Sequence, residues 1–79
     1  MSKTPELTDV SILTARRLNC SVNGNPRFDI TFFDGDGEYT YRTSSDSACN
    51  YDVENLLHSR DRVNVYVTRA GRVYRMDRI

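Results

Sequence analysis

Hydrophobic and polar residues alternate with a period of two through most of this chain, in short stretches rich in β-branched and aromatic side chains. Neighbouring side chains of a β-strand point to opposite faces, so this alternation predicts strands with one face in the core. The two clearest stretches are residues 27–33 and 62–68. Their predicted inward positions are Phe28, Ile30 and Phe32 in the first stretch and Val63, Val65 and Val67 in the second.

Three further stretches, residues 9–20, 38–43 and 73–79, are also predicted to be strands. The first of them carries apolar residues on both faces near its start, which predicts a strand that bends across the sheet. The last is out of phase at Val73, which predicts a β-bulge. Turn signals occur at residues 23–26, 34–37 and 69–71. Gly71 falls where a three-residue hairpin loop favours a left-handed backbone.

Residues 45–57 are the one segment with helical spacing. Cys49, Val53, Leu56 and Leu57 lie at i, i+4, i+7 and i+8 and form one apolar stripe. The chain is therefore predicted to be mainly β with one short helix, in the order β-β-β-α-β-β. A small five-stranded OB-like or SH3-like barrel has this order, and so does an open antiparallel sheet covered by one helix.

The length of 79 residues predicts a single domain over residues 9–79, preceded by a flexible N-terminal tail over residues 1–8. A chain of this size buries only about 60% of the surface that its unfolded form exposes. Its core is therefore modest and leaves little room for a deep catalytic pocket.

Catalytic and metal-binding patterns are weak. One histidine and two cysteines do not supply the four ligands of a structural zinc site. Asp34, Asp36 and Glu38 begin a calcium-loop pattern, but Tyr39 and Ser45 stand where that loop needs glycine and a carboxylate. We therefore expect a non-enzymatic protein without a metal or cofactor, and no small-molecule substrate is indicated.

The N-terminal residues have no apolar stretch of the secretory type, and no apolar run approaches the ~18 residues of a membrane span. These features predict a cytoplasmic protein that does not contact a membrane. In that compartment Cys20 and Cys49 are expected to stay reduced.

Charge is balanced overall, with 11 basic and 11 acidic residues, but it is distributed unevenly. Residues 29–54 hold seven acidic residues against one basic, a net charge of −6, while residues 55–79 hold six basic against two acidic, a net of +4. Ten of the eleven basic residues are arginine, which suits interfaces because its guanidinium makes bidentate contacts and stacks on rings.

The last predicted hairpin combines arginine with tyrosine and is the candidate binding surface. Its residues are Tyr66, Arg69, Arg72, Tyr74, Arg75 and Arg78. Tyrosine and arginine are enriched in protein interfaces, and rings beside basic grooves also bind single-stranded nucleic acid. If the acidic middle segment neutralises these arginines, we expect weak nucleic-acid binding. If the two charges lie apart, the arginines are available to an acidic partner.

Three segments resemble a known group of proteins. They are Thr14-Ala15-Arg16-Arg17 leading into residues 23–28, then residues 43–48, then residues 67–73. Together they are similar to short, uncharacterised proteins of bacteriophages of actinobacteria and of related prophages. The resemblance implies a small phage-encoded protein that acts in the host cytoplasm and binds a host protein or nucleic acid. It transfers no functional residue.

Two functions follow from these observations. The first is a non-enzymatic interaction protein that binds a host protein or a second copy of itself, since a small β-domain leaves strand edges and rings exposed. The alternative is an OB-like protein that binds single-stranded nucleic acid. The zero net charge favours the first, because nucleic-acid-binding domains usually carry a strongly basic balance.

Overall fold

The computed structural model describes residues 4–18, 27–44 and 48–79. The predicted order of elements and the mainly β fold are confirmed. The strands are β1 (Leu7–Arg17), β2 (Phe28–Phe33), β3 (Glu38–Arg42), β4 (Val63–Val67) and β5 (Val73–Arg78), and the helix α1 (Val53–Ser59) follows a 3-10 turn (Ala48–Tyr51). No helix within these described ranges is long and apolar enough to cross a bilayer.

The strands form one antiparallel sheet in the order β3-β2-β1-β4-β5. Its two edge strands approach each other at one point, where Thr43 and Val73 form a parallel bridge and the Ser44 N–H donates to the Val73 carbonyl at 2.7 Å. The sheet is therefore open along most of its length but curls until β3 and β5 meet. This arrangement lies between the predicted barrel and the predicted open sheet.

Strand β1 joins the two halves of the sheet, as the predicted bend requires. Its first part pairs with β4, through Leu7 with Val65, and its later part pairs with β2, through Arg17 with Phe28. Asp9 has a φ of 55° at the irregularity in the pairing with β4. The strand begins at Leu7, inside the segment predicted as a tail, because Leu7 packs against the core and the N–H of the preceding residue donates to Val65.

The core contains nearly all of the positions that alternation predicted. All six predicted inward residues are buried except Val67, which is half-buried because it follows a register shift in the pairing with β5. That shift is the predicted bulge. The buried apolar residues are Val10, Ile12, Phe28, Ile30, Phe32, Cys49, Val53, Leu56, Val63, Val65 and Val73.

The helical segment departs from the prediction of one continuous helix. Its first described part is the 3-10 turn, and α1 begins only at Val53, after Asp52. Cys49 and Val53 are nevertheless both buried, so the predicted stripe faces the core although the helical pitch changes along it. Arg60, with a φ of 58°, ends the helix, and its N–H donates to the Leu56 carbonyl at 3.0 Å.

Three parts of the sequence prediction lie outside the described residues. The turn at residues 23–26 and Cys20 both fall in the range 19–26, and the start of the predicted helical segment falls in the range 45–47. Cys49 is buried and forms no disulfide within the described part of the chain.

Candidate functional site

The β4–β5 turn carries two of the predicted arginines. Arg69 and Arg72 are exposed there, and the turn is closed by the Thr68 N–H, which donates to the Arg72 carbonyl at 2.8 Å. Gly71 has a φ of 79°, which confirms the predicted left-handed position. Neither arginine side chain forms an ion pair within the described ranges.

Tyr66, Tyr74 and Arg75, three residues of the candidate binding surface, lie together beside this turn. The two tyrosine rings are tilted, with centroids 6.4 Å apart, and the Arg75 guanidinium lies 5.5 Å from the centroid of Tyr66. The Arg75 Nε also donates to the Asp77 carboxylate at 2.9 Å. This hydrogen bond raises the pKa of Arg75 above its ordinary value. The charge of Arg75 is therefore balanced locally.

Arg78 is separated from that cluster and has its own partner. It pairs with Val63 across the strands, on the face opposite to Arg75, and its Nε donates to Asp61 at 2.8 Å. Of the four hairpin arginines, Arg75 and Arg78 are therefore ion-paired. Within the described residues, the two arginines of the turn form no ion pair. The pairing acids come from residues 55–79 and not from the acidic middle segment.

Arginines from distant parts of the chain line up beside the turn. Arg16 pairs with Asp29 across β1 and β2, and Asp29 pairs with Arg42 across β2 and β3. The parallel bridge between Thr43 and Val73 then brings the preceding residues, Arg42 and Arg72, side by side. We call Arg16, Asp29, Arg42 and Arg72 the arginine row. At about 4.8 Å per strand it is about 14 Å long.

The arginine row lies on the outward surface of the sheet. Thr43 and Val73, which follow Arg42 and Arg72 in the chain, are buried. Asp29 lies between two buried residues of β2. Because strand side chains alternate, the row must point away from the core. Asp29 accepts from the Arg42 Nε at 3.0 Å, so one acidic residue faces three basic ones. The row therefore keeps a net charge of +2.

The outward surface changes character along the strands. The next outward row is Thr14, Thr31 and Thr40, in which the hydroxyls of Thr31 and Thr40 are 3.0 Å apart. Beyond it Phe33 is half-buried between Ser11 and Glu38. The face thus runs from basic through hydroxyl to aromatic and acidic.

The acidic end of this face is the β2–β3 turn. One Asp34 carboxylate oxygen accepts from the N–H groups of Asp36 at 2.9 Å and Gly37 at 3.1 Å, and the other accepts from the Tyr39 hydroxyl at 3.3 Å. These hydrogen bonds, that from Asp36 first, hold the pKa of Asp34 below its ordinary value. They are the bonds of a polar turn, and within the described residues no group of three or more ligand-type side chains is placed to hold a metal ion.

A shallow cleft of about 370 Å³ also lies near this turn, lined by Arg60 and Arg62 among others. Both arginines are already engaged. Arg62 forms an ion pair with Asp9 at 2.6 Å, and the Arg60 guanidinium donates to the Ile12 carbonyl at 3.1 Å. The cleft therefore offers a ligand less unpaired charge than the arginine row.

Sequence reasoning selected Arg72 but missed Arg16, Asp29 and Arg42. Alternation along each strand identifies all three as outward residues. Their assembly into one row depends on cross-strand register and on the β3–β5 bridge, and neither has a local signal in the sequence.

No protein-family model, no curated protein and no solved structure matches this chain. Functional conclusions therefore rest on the side chains described above.

Proposed function

We propose that this protein binds single-stranded nucleic acid, with phosphates held along the arginine row and by Arg69 of the neighbouring turn. The observation that carries the proposal is the row itself: three arginines against one aspartate on the outward face of β1, β2 and β3 and at the β4–β5 turn. In OB-like domains the face of strands 2 and 3, with the loop between strands 4 and 5, is the surface that binds oligonucleotides.

The distribution of charge over the surface supports nucleic-acid binding, whereas the zero net charge of the whole chain favours a protein partner. Within the described residues, no ion pair joins Arg16, Arg69 or Arg72 to the acidic middle segment, and Arg42 pairs with Asp29 of that segment. Asp34, Asp36 and Glu38 lie at the far end of the same face. A phosphate backbone would therefore run across the strands along the row, with its bases directed toward the threonines and Phe33.

The cellular location of the protein is also part of the proposal. The resemblance to phage proteins implies action in host cytoplasm, where single-stranded nucleic acid of host or phage is the ligand. An acidic protein surface could contact the same arginines, and the experiment below separates the two cases.

The test measures the affinity for a labelled single-stranded oligonucleotide by fluorescence anisotropy at a series of salt concentrations. Three phosphate contacts, made by Arg16, Arg69 and Arg72 while Asp29 holds Arg42, give a slope of about −2.1 in log affinity against log salt, a loss of about 20-fold between 50 and 200 mM. Arg16→Gln with Arg72→Gln removes two of them and should reduce the slope by about 1.4. Arg75→Gln with Arg78→Gln makes the same charge change at the ion-paired arginines and should leave the slope nearly unchanged.

Each outcome decides the proposal. Equal losses in both double variants would show that overall charge, not the row, holds the oligonucleotide. No binding at 50 mM salt would remove nucleic acid as the ligand and leave a protein partner as the function.

A further inference from the structure

Beyond the bridge between Val73 and Thr43, the outer edge of β5 is open within the described residues. The Ile79 N–H donates to the Arg62 carbonyl at 3.0 Å, and hydrogen-bonded pairs alternate along an antiparallel ladder, so Asn64 and Asp77 form the next such pair. The backbone groups of Met76 and Arg78 consequently point away from β4. Within the described residues no other backbone or side chain bonds to them. Unpaired strand edges of this kind accept another strand.

The side chains on this edge are complementary to themselves. If a second β5 adds in the antiparallel direction with Met76 opposite Met76, Arg75 of each copy stands opposite Asp77 of the other. A two-fold centre on Arg75 would instead oppose two arginines, and one on Asp77 would oppose two aspartates. Like charges directly opposite destabilise a strand pair, so charge selects the register centred on Met76.

The side-chain contacts within one protomer are compatible with this pairing. Asp77 Oδ1 accepts from its own Arg75, which leaves the other carboxylate oxygen for Arg75 of the second copy. Met76 is half-buried against the core, so two copies would place their Met76 side chains together at the edge of that core. The two Met76 backbones would exchange a pair of N–H to carbonyl hydrogen bonds.

We infer that the protein forms a two-fold homodimer by antiparallel pairing of β5 edges centred on Met76, with reciprocal ion pairs between Arg75 and Asp77. The contact is short, so the dimer is weak and concentration-dependent. The inference is independent of nucleic-acid binding, because the oligomeric state is measured without a ligand.

Charge reversal tests the pairing by sedimentation velocity over a concentration series. Arg75→Asp leaves two aspartates, and Asp77→Arg leaves two arginines, at the facing positions. Each variant alone should dimerise about tenfold more weakly or worse, because both facing pairs become repulsive. An equimolar mixture of the two variants should recover dimers, since every facing pair again joins opposite charges. The double variant Arg75→Asp with Asp77→Arg should dimerise like the original chain.

A second variant probes the backbone. Met76→Pro removes an N–H that is not used by the β4 ladder, so circular dichroism should still report a folded sheet while the dimer is lost. A chain that stays monomeric into the millimolar range would overturn the inference. So would a mixture of the two charge variants that associates no better than either alone.

Discussion

Asp34 is the residue on which the β2–β3 turn depends. Its carboxylate accepts two backbone N–H groups and the Tyr39 hydroxyl, and the charge of Asp34 raises the pKa of Tyr39. The pKa of Asp34 itself lies below its ordinary value of 3.8, so the ionised form is the one that the folded turn favours. The hydrogen bonds to ionised Asp34 therefore stabilise the fold above pH 3.8, and this stabilisation is lost as the pH falls through the pKa of Asp34 in the folded state.

Asp34→Asn should therefore lower the free energy of unfolding at pH 7, because the charge that strengthens these hydrogen bonds is removed. The difference from the original chain should shrink below pH 3.8 and disappear once Asp34 is protonated in both folded and unfolded states. Urea denaturation at a series of pH values measures it. Asp36→Asn is the matched control in the same turn, and a similar pH-dependent loss in that variant would show that general charge repulsion, not the Asp34 hydrogen bonds, is responsible.

At the scale of elements, Thr43 connects three strands. Its side chain is fully buried, its Oγ1 accepts from the Phe28 N–H at 3.0 Å, and its backbone bridges Val73. Its carbonyl also accepts from the Arg27 guanidinium at 3.4 Å. A polar side chain at this position is thus explained by the backbone N–H that it satisfies.

Thr43→Val keeps the shape of the side chain but leaves the Phe28 N–H buried without its acceptor. The cost should be about 1–3 kcal/mol in the free energy of unfolding. Thr43→Ser keeps the hydroxyl and loses one methyl group, which should cost about 0.5–1.5 kcal/mol. Chemical denaturation of the two variants gives the comparison, and a valine variant that loses less than about 1 kcal/mol would contradict the importance of this hydrogen bond.

The strands were predictable from sequence because alternation is a local property. Phe28, Ile30 and Phe32 are buried as predicted, and the predicted bulge is present directly after Val73. The helix was less predictable: its apolar stripe was correct, but the segment is divided at Asp52 into a 3-10 turn and α1, and the Cys49 thiol of that turn donates to the Val73 carbonyl of β5 at 3.7 Å. A stripe predicts which residues are buried and does not predict the pitch between them.

At the scale of the whole molecule, charge placement depends on topology. The sequence shows an acidic middle and basic ends, yet Arg16, Arg42 and Arg72 come from three separate segments and meet only through strand register. Asp29, from the acidic segment, joins them and reduces their net charge. Sequence therefore identified two of the four arginines of the candidate surface, Arg69 and Arg72 at the turn, and not the part formed by pairing across strands.

Asp29 should limit the affinity of the row for phosphate. It holds the Arg42 guanidinium at 3.0 Å, and both side chains are partly exposed, so their ion pair adds little to stability and its loss should leave the fold intact. Asp29→Asn removes the carboxylate that pairs with Arg42, so the Arg42 guanidinium should exchange this contact for one with a bound phosphate. One more phosphate contact steepens the salt slope by about 0.7 and raises the affinity for a single-stranded oligonucleotide about fivefold to tenfold at 50 mM salt.

Asp77→Asn is the control for this prediction, because it removes the same charge beside Arg75, outside the arginine row. If only the net charge of the protein mattered, the two variants would bind the oligonucleotide equally more tightly than the original chain. The row predicts that only Asp29→Asn changes the salt slope, because a new phosphate contact forms only where an arginine faces the ligand. An Asp29 variant with raised affinity but an unchanged slope would mean that the aspartate acts at a distance and that Arg42 does not touch the phosphate backbone.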